Sequence, residues 1–423
     1  MFRNRSTAEA AVFVVGIGSL GLHAATDAFF APERGTHWSD HLLRGFATFA
    51  VLAAAGVLVA RLRAGGRAVI AATLGALAIE GAVLAISDAR AVGARGEDWT
   101  GFLLAPVGIA LLGLAAVLLW RSRKPGRLRW LRRGGIALLS VVGAYCLVLP
   151  VGMAILATHR PRAAVSAADL GRPYQQVTIH TADGLDLAGW YVRSRNGAAV
   201  ISYPTRQGKL PQARMLVRHG YGVLLVDARG YDGSQGDPNL FGWDDTKDID
   251  AAVAWLERRP DVRGGRIGGI GFSVGGEMML QAAASNSGLK AVVSDGAGFR
   301  SVREELLYGP RGWFTSLPEQ AVQSAALTVM SGSTPPPSLK ELVPRIAPRH
   351  VFFIYAGHGA GGEEYNSDYY AAARQPKAIW KIPEASHTGG YASRPLEYER
   401  RVTSFFDHSL PAGASTSSTA TGR

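Results

Sequence analysis

The sequence predicts an α-helical transmembrane domain followed by an α/β domain, whose mainly parallel sheet has helices on both faces. Long apolar stretches alternate with short polar ones up to about residue 158. From about residue 173, short β-type runs alternate with segments of helical spacing. The chain has 423 residues, whereas a domain usually takes roughly 100 to 200. A single core is therefore not expected.

Five apolar stretches in the first part come near the roughly 20 residues that a helix needs to cross a bilayer. The first of them lacks a small-residue cleavage site and is followed by four more, so it is interpreted as a retained span rather than a signal peptide. Residues 1–158 are thus predicted to form a multi-pass domain in the cell membrane. The predicted spans lie near residues 10–30, 42–60, 68–87, 101–120 and 135–157.

The loops between these stretches differ in their content of lysine and arginine. Twelve such residues lie on the side of the N-terminus and six on the opposite side. Because cytoplasmic loops carry the excess of Lys and Arg, the chain after about residue 158 is expected outside the cytoplasm. Much of the net charge of +12 therefore reflects the orientation of the chain in the membrane, and no nucleic-acid partner is expected.

The ionisable side chains within the apolar stretches include His23, Asp27 and Glu80. An ionisable group at the centre of a bilayer costs about 3 kcal/mol or more and often marks a transport pathway. Bonding to neighbouring helices, or a position near the interface, is the preferred interpretation here. No repeated pair of broken helices indicates a transporter.

The second part of the chain predicts a series of strands. A hairpin is expected first, because YQQVTIHT and DLAGWYVRS flank the turn Ala182-Asp183-Gly184. Segments such as DDTKDIDAAVAWLERR, with helical spacing, separate the later runs, so the sheet is expected to be mainly parallel and covered on both faces. The later strand-like runs are AAVISYP, YGVLLVDARG, RIGGIGF, KAVVSD, HVFFIYAG and AIWKI.

One segment interrupts the alternation within the predicted α/β domain of residues 165–410. Residues 299–345 contain three consecutive prolines and are interpreted as a cap or lid excursion over the sheet. The small, polar tail at 411–423 is expected to be disordered. Apolar side chains of the excursion either line an acyl pocket or pack as a stabilising cap; they are Leu306, Leu307, Trp313 and Phe314.

Residues 266–276, RIGGIGFSVGG, allow two interpretations. As G-x-G-x-x-x-G they indicate a turn that binds a dinucleotide phosphate, with Asp295 as the acid for the ribose. As G-x-S-x-G they place Ser273 on a sharp strand-to-helix turn, for which Gly271 and Gly275 provide room. The second interpretation is favoured, because a dinucleotide turn normally follows the first strand of its domain and this strand is about the fifth.

A nucleophilic serine needs an imidazole base and a carboxylate that orients the imidazole. His387, in AIWKIPEASHTGG, follows the last strand-like run and is the candidate base. The acid is expected in HGAGGEEYNSDYY, where Glu364 is the first choice and Glu363 the second. Asp368 is expected within the next helix. One of the two glutamates is expected to be only a charge at a helix N-terminus.

With these motifs, residues 170–410 resemble the α/β-hydrolase superfamily. GYGVLLVDARGYDGSQG resembles the D-x-R-G-x-G-x-S-x-G run of dienelactone-hydrolase-like and prolyl-oligopeptidase-like bacterial enzymes. Two positions depart from the pattern: Tyr203-Pro204-Thr205 replaces a common His-Gly, and Asp232 replaces a glycine. The resemblance implies an oxyanion hole made by the backbone N–H groups of Val274 and Thr205.

These residues predict a membrane-anchored serine hydrolase that cleaves an ester, amide or thioester through an acyl-enzyme. A small-molecule or lipid-like acyl substrate is expected, without a metal or an organic cofactor. The single cysteine, Cys146, excludes an intrachain disulfide and a zinc site built on cysteine. Two alternatives stay open: acyl transfer by the same residues, and a non-catalytic domain that senses a ligand for the membrane part.

Overall fold

A computed structural model describes residues 7–96, 98–121, 135, 138, 142–300, 302–307 and 317–411. The chain forms two compact units. Two segments that the sequence assigned to the α/β domain, 230–240 and 308–335, belong to the N-terminal unit instead. The first unit is Met1–Ala164, Gly230–Leu240 and Tyr308–Pro335, and the second is Val165–Arg229, Phe241–Leu307 and Pro336–Arg423.

The first unit contains four helices that are long and apolar enough to cross a membrane. Many of their large side chains are exposed, among them Val14 at 71% and Val69 at 60%, as a lipid-facing surface requires. Small residues allow close helix packing: a Cβ at Gly108 would lie 2.9 Å from the carbonyl oxygen of Gly75. The helices are α1 (Thr7–Ala25, continued by a π-helical turn at Thr26–Phe30), α2 (Leu42–Arg61, preceded by a 3₁₀ turn at Trp38–His41), α3 (Ala64–Val92) and α4 (Asp98–Arg121).

A shorter apolar helix, α5 (Leu149–Thr158), follows a π-helical turn at Ala144–Val148. The apolar stretch Tyr145–Thr158 is shorter than a bilayer-crossing helix. The predicted fifth span starts among residues that lie mostly outside the described ones, and so does the basic loop before it. The fifth crossing therefore stays a prediction.

Two of the ionisable residues in the apolar stretches bond to neighbouring elements of the first unit. Nδ1 of His23 lies 3.0 Å from Oγ1 of Thr100 in α4. Oδ2 of Asp27 lies 3.4 Å from Nη2 of Arg44 in α2. These bonds agree with the interpretation that His23 and Asp27 join helices.

The second unit is built on one eight-stranded sheet in the order β1-β2-β4-β3-β5-β6-β7-β8. The β1–β2 and β2–β4 pairs are antiparallel, and the other neighbouring pairs are parallel. The predicted hairpin and the mainly parallel sheet are confirmed. The strands are β1 (Gln175–His180), β2 (Asp186–Val192), β3 (Ala199–Tyr203), β4 (Gly222–Val226), β5 (Ile267–Phe272), β6 (Leu289–Asp295), β7 (His350–His358) and β8 (Lys377–Ser386).

The helices after α5 are, in chain order, α6 (Leu210–Arg218), α7 (Thr246–Glu257), α8 (Val274–Ser285), α9 (Val302–Leu307), α10 (Leu317–Ser331), α11 (Leu339–Leu342, continued by a 3₁₀ turn at Val343–Arg345), α12 (Asn366–Ala372, preceded by a 3₁₀ turn at Glu363–Tyr365), α13 (Gly390–Ser393) and α14 (Pro395–Ser409). Helix α6 packs with α14, and α7 packs with α8. Val223 and Leu225 of β4 share a buried core with Leu216 of α6 and Phe406 of α14. Because side chains alternate along a strand, Leu224 faces the opposite layer.

The predicted excursion at 299–345 contributes to both units. Helix α10 packs against α5 and α2 of the first unit. Within the second unit, Glu304 of α9 accepts hydrogen bonds from Ser338 Oγ and Leu339 N, each at 2.5 Å. Trp313 and Phe314, expected either to line an acyl pocket or to pack as a stabilising cap, lie outside the described residues, as does the tail from 412 onward.

Candidate active site

Ser273 lies on a sharp turn between β5 and α8. Its backbone has φ 54° and ψ −125°, a conformation that residues other than glycine rarely adopt. Such a conformation costs on the order of 1–3 kcal/mol, so the surrounding structure must hold it. The Ser273 amide donates a hydrogen bond of 2.9 Å to the carbonyl of Asp295 at the end of β6. The strand, turn and helix predicted for this stretch are all present.

The glycines around Ser273 lie where no side chain fits. A Cβ at Gly271 would lie 2.0 Å from the carbonyl oxygen of Gly275, and one at Gly275 would lie 2.5 Å from that of Tyr203. These glycines therefore allow strand, turn and helix to approach, which is the requirement of the G-x-S-x-G interpretation. Asp295, the acid of the rival interpretation, is 2% exposed and accepts a hydrogen bond from the Tyr398 hydroxyl at 2.7 Å.

His387 follows directly after β8 and faces Ser273. Its Nε2 lies 2.8 Å from the Ser273 Oγ, and its Nδ1 contacts Oε1 of Glu363. One ring nitrogen thus faces a hydroxyl and the other a carboxylate. The His387 side chain is 36% exposed and that of Glu363 only 1%, so the carboxylate lies beneath the imidazole and away from water.

Of the two candidate acids, Glu363 contacts His387 and Glu364 does not. Glu364, the first choice from the sequence, is exposed, and that preference is wrong for the contact with His387. Gly362 has φ 87° and turns the chain so that Glu363 points inward. A Cβ at Gly359 would lie 2.7 Å from Cδ of Glu363, so glycine also makes room for the carboxylate. Asp368 lies in α12, as expected.

The charges around His387 change its affinity for a proton. The hydrogen bond that His387 donates to Glu363 raises the pKa of His387, and the charge of Asp295 acts in the same direction. Burial of the ring and the charge of Lys209 oppose this rise. Burial also raises the pKa of Asp295 to about 6, against the hydrogen bond from Tyr398.

The loop after β3 lies against the first turn of α8. The carbonyl of Pro204 accepts a hydrogen bond from Ala228 N at 2.9 Å. The Arg206 amide and Nε donate to the two carboxylate oxygens of buried Asp227, at 2.7 and 2.6 Å. Proline has no N–H, and in the described part of the chain no hydrogen bond engages the amide of Thr205. The Val274 amide, at the start of α8, is likewise without a partner among the described residues.

Several polar residues near His387 were not predicted as parts of a hydrolase site. Lys209 contacts Thr388, and Asp295 binds Tyr398. Glu277, four residues after Ser273, accepts a hydrogen bond from the Gly298 amide at 2.9 Å, and burial raises its pKa to about 7. In the described ranges, no three residues among His, Cys, Asp and Glu come together as a set of metal ligands.

A serine on a strained strand-to-helix turn, a histidine after the last strand and a buried glutamate on the far side of that histidine define the second unit as an α/β-hydrolase. The model of one protein family, described as X-Pro dipeptidyl-peptidase (S15 family), matches residues 160–386. The chain belongs to this family and is a hydrolase. The match ends at the residue before His387.

Individual proteins are similar to parts of the chain. The uncharacterized protein YfhR of Escherichia coli K12 is 23% identical over 279 residues, which are 61% of this chain and 89% of YfhR. The polyketide transferase grgF of Penicillium is 33% identical over 137 residues, or 29% of this chain and 44% of grgF. The structure of the Pyrococcus furiosus esterase Pf2001 covers 59% of this chain and 97% of its own, with 22% identity and a TM-score of 0.49.

Proposed function

We propose that the protein is a membrane-anchored serine hydrolase that cleaves an ester, amide or thioester through an acyl-enzyme. One observation carries the proposal: the His387 Nε2 lies 2.8 Å from the Ser273 Oγ, while the buried Glu363 contacts Nδ1. A serine hydroxyl becomes a nucleophile when a neighbouring imidazole takes its proton. The carboxylate fixes the orientation of the imidazole and stabilises the imidazolium.

The reaction follows from these positions. Oγ of Ser273 attacks the carbonyl carbon of the substrate as its proton passes to Nε2 of His387. The N–H groups of Val274 and Thr205 stabilise the negative oxygen that forms. His387 then gives the proton to the leaving group, the bond to that group breaks, and an acyl-Ser273 remains. Water attacks the acyl group by the same route and restores the free serine.

The free amides of two residues support this assignment of the oxyanion hole. The Pro204 carbonyl and the Arg206 amide bond to residues directly after β4, while no described residue accepts the amide of Thr205 between them. Val274 is the first residue of α8, where the helix leaves its N–H groups without internal partners. Loss of one oxyanion donor typically costs about 100 to 1000-fold in rate.

A fluorophosphonate probe tests the proposal on the full-length protein in detergent. We expect covalent labelling of the parent and turnover of a substrate panel made of an aryl ester, an X-Pro anilide and a thioester. Ser273→Ala is expected to abolish both. Ser285→Ala is the matched control, because Ser285 ends the same helix roughly 17 Å away and only bonds to a carbonyl of its own helix.

The result decides between catalysis and sensing. Labelling that persists in Ser273→Ala would refute the proposed nucleophile. A parent that takes no label and turns over no substrate would favour the non-catalytic domain that senses a ligand.

Acyl transfer is the second candidate, because one relative, 33% identical over 137 residues, is named a polyketide transferase. The same residues would form the acyl-enzyme, and an alcohol or amine would replace water in the second step. Incubation of a thioester with the protein and a range of concentrations of such an acceptor separates the two reactions. Acyl-acceptor product that exceeds free acid at low millimolar acceptor supports transfer, whereas free acid alone supports hydrolysis.

A further inference from the structure

Lys209 contacts residues next to both Ser273 and His387. Its Nζ donates hydrogen bonds to Oγ1 of Thr388 at 2.8 Å and to the Thr388 carbonyl at 3.2 Å. The same ammonium lies 5.7 Å from the ring centroid of Phe272. Phe272 precedes Ser273 and Thr388 follows His387, so one half-buried cation links the two sides of the site.

The backbone at Thr388 needs to be held in place. Its φ is 50°, which is the left-handed region and is a true outlier for a β-branched residue. A conformation of this kind persists when neighbouring contacts determine it. The Gly389 amide closes the turn on the Ser386 carbonyl at 2.8 Å, and Lys209 holds the carbonyl and hydroxyl of Thr388 itself. These contacts fix the turn that carries His387.

The charge of Lys209 also acts on His387. Glu363 after β7 and Asp295 at the end of β6 favour the protonated imidazole, and Lys209 disfavours it. Glu277 of α8 is the third carboxyl group that interacts with the ring. Lys209 therefore offsets carboxylates that approach His387 from three elements of the unit. Burial of Lys209 lowers its own pKa, against the charge of Asp295.

We propose that Lys209 is a positioning residue, which holds the His387 turn through Thr388 and offsets the carboxylates around the imidazole, so that His387 is available as a neutral base. The inference rests on the proposed function, because it assigns Lys209 a part in the base step. Its two effects are separable: the hydrogen bonds place the ring, and the charge sets the pH at which the ring is free of its proton.

Lys209→Met in the full-length protein removes both effects. We expect kcat to fall about tenfold or more, with a smaller change in KM, because the base is misplaced. We expect the acidic limb of kcat/KM to move up by roughly 0.5 to 1 pH unit, because a neighbouring positive charge is lost. Lys209→Arg should keep the limb in place. Lys290→Met is the matched control, since Lys290 is exposed at the far end of β6, about 17 Å from Asp295.

A second readout does not need turnover. Diethyl pyrocarbonate modifies the neutral imidazole, so the extent of His387 modification against pH, measured by peptide mass spectrometry, gives its titration midpoint. We expect a higher midpoint in Lys209→Met than in the parent and no change in Lys209→Arg. Equal midpoints in parent and Lys209→Met would overturn the inference. A shifted midpoint in a protein without any turnover would instead contradict the proposed function alone.

Thr388→Val keeps the shape and the charge of the site but removes one acceptor of Lys209. We expect a severalfold lower kcat with an unchanged midpoint. If Lys209→Met does not fold, Thr388→Val becomes the test of positioning. Full activity in this variant would contradict the role given to the bond between Lys209 and the Thr388 hydroxyl.

Discussion

The carboxylate of Glu363 links the backbone of β7 to the imidazole of His387: Oε2 accepts a hydrogen bond from the Ala356 amide at 2.7 Å, while Oε1 contacts Nδ1 of His387. The backbone of β7 therefore holds the Glu363 carboxylate in place independently of its contact with His387. Its neighbour Glu364 is exposed and lies one residue further along the same 3₁₀ turn. The same substitution at Glu363 and at Glu364 therefore tests whether Glu363 orients the imidazole of His387.

Glu363→Gln is expected to lower kcat about 1000 to 10 000-fold, because a neutral amide neither stabilises the imidazolium nor fixes its tautomer. Glu364→Gln, which makes the same change on the exposed neighbour, should stay within about twofold of the parent. Steady-state hydrolysis of an aryl ester measures both. Equal losses in the two variants would contradict the assignment of Glu363.

The pH dependence of kcat/KM should show an acidic limb above the ordinary imidazole value of roughly 6.5. The reason is the hydrogen bond that His387 donates to Glu363, which raises the pKa of His387, because the reaction needs Nε2 of the ring without a proton. In Glu363→Gln the limb of the residual activity should move to lower pH. A limb that moves upward in this variant would show that another group titrates.

Gly275→Ala is expected to destabilise the second unit by about 3 kcal/mol, because its Cβ would lie 2.5 Å from a backbone oxygen that cannot move aside. Gly113→Ala in α4 is the matched control, since a Cβ there meets nothing within 4 Å. Thermal unfolding followed by loss of fluorophosphonate labelling measures the difference. Similar behaviour of the two variants would rule out tight packing at Gly275.

The predicted orientation places the α/β unit outside the cytoplasm. Alkaline phosphatase, which is active only after export, is therefore expected to be active when fused at the C-terminus and inactive when fused at Arg63, in the loop between α2 and α3. Green fluorescent protein should give the opposite pattern. Fluorescence of a C-terminal fusion would mean that residues 135–157 do not cross the membrane.

The sequence predicted the sheet, the Ser273 turn and the position of His387, because each depends on a local pattern: strand periodicity, required glycines and the loop after the last strand. The choice between Glu363 and Glu364 could not be made in this way. Adjacent residues point in different directions, and the direction depends on the left-handed backbone of Gly362. Lys209 was missed for another reason, since its partner Thr388 lies 179 residues away in the chain.

The packing of 230–240 and 308–335 in the N-terminal unit was also beyond the sequence pattern. Helix α10 has the spacing of any helix that covers a sheet, and only its neighbours α5 and α2 reveal where it is buried. The spacing of apolar residues predicts that one face of a helix is buried, but it does not identify the element that packs against that face.

The bonds of Glu304 to Ser338 and Leu339 have a consequence for how this protein can diverge. They join residue 304 to residues 338 and 339 within the α/β unit, although more than thirty residues of chain separate them. The free energy of loop closure grows only slowly with length, about 0.6 kcal/mol for each doubling. Evolution can therefore lengthen, shorten or exchange the chain between residues 304 and 338 while the catalytic frame keeps its geometry.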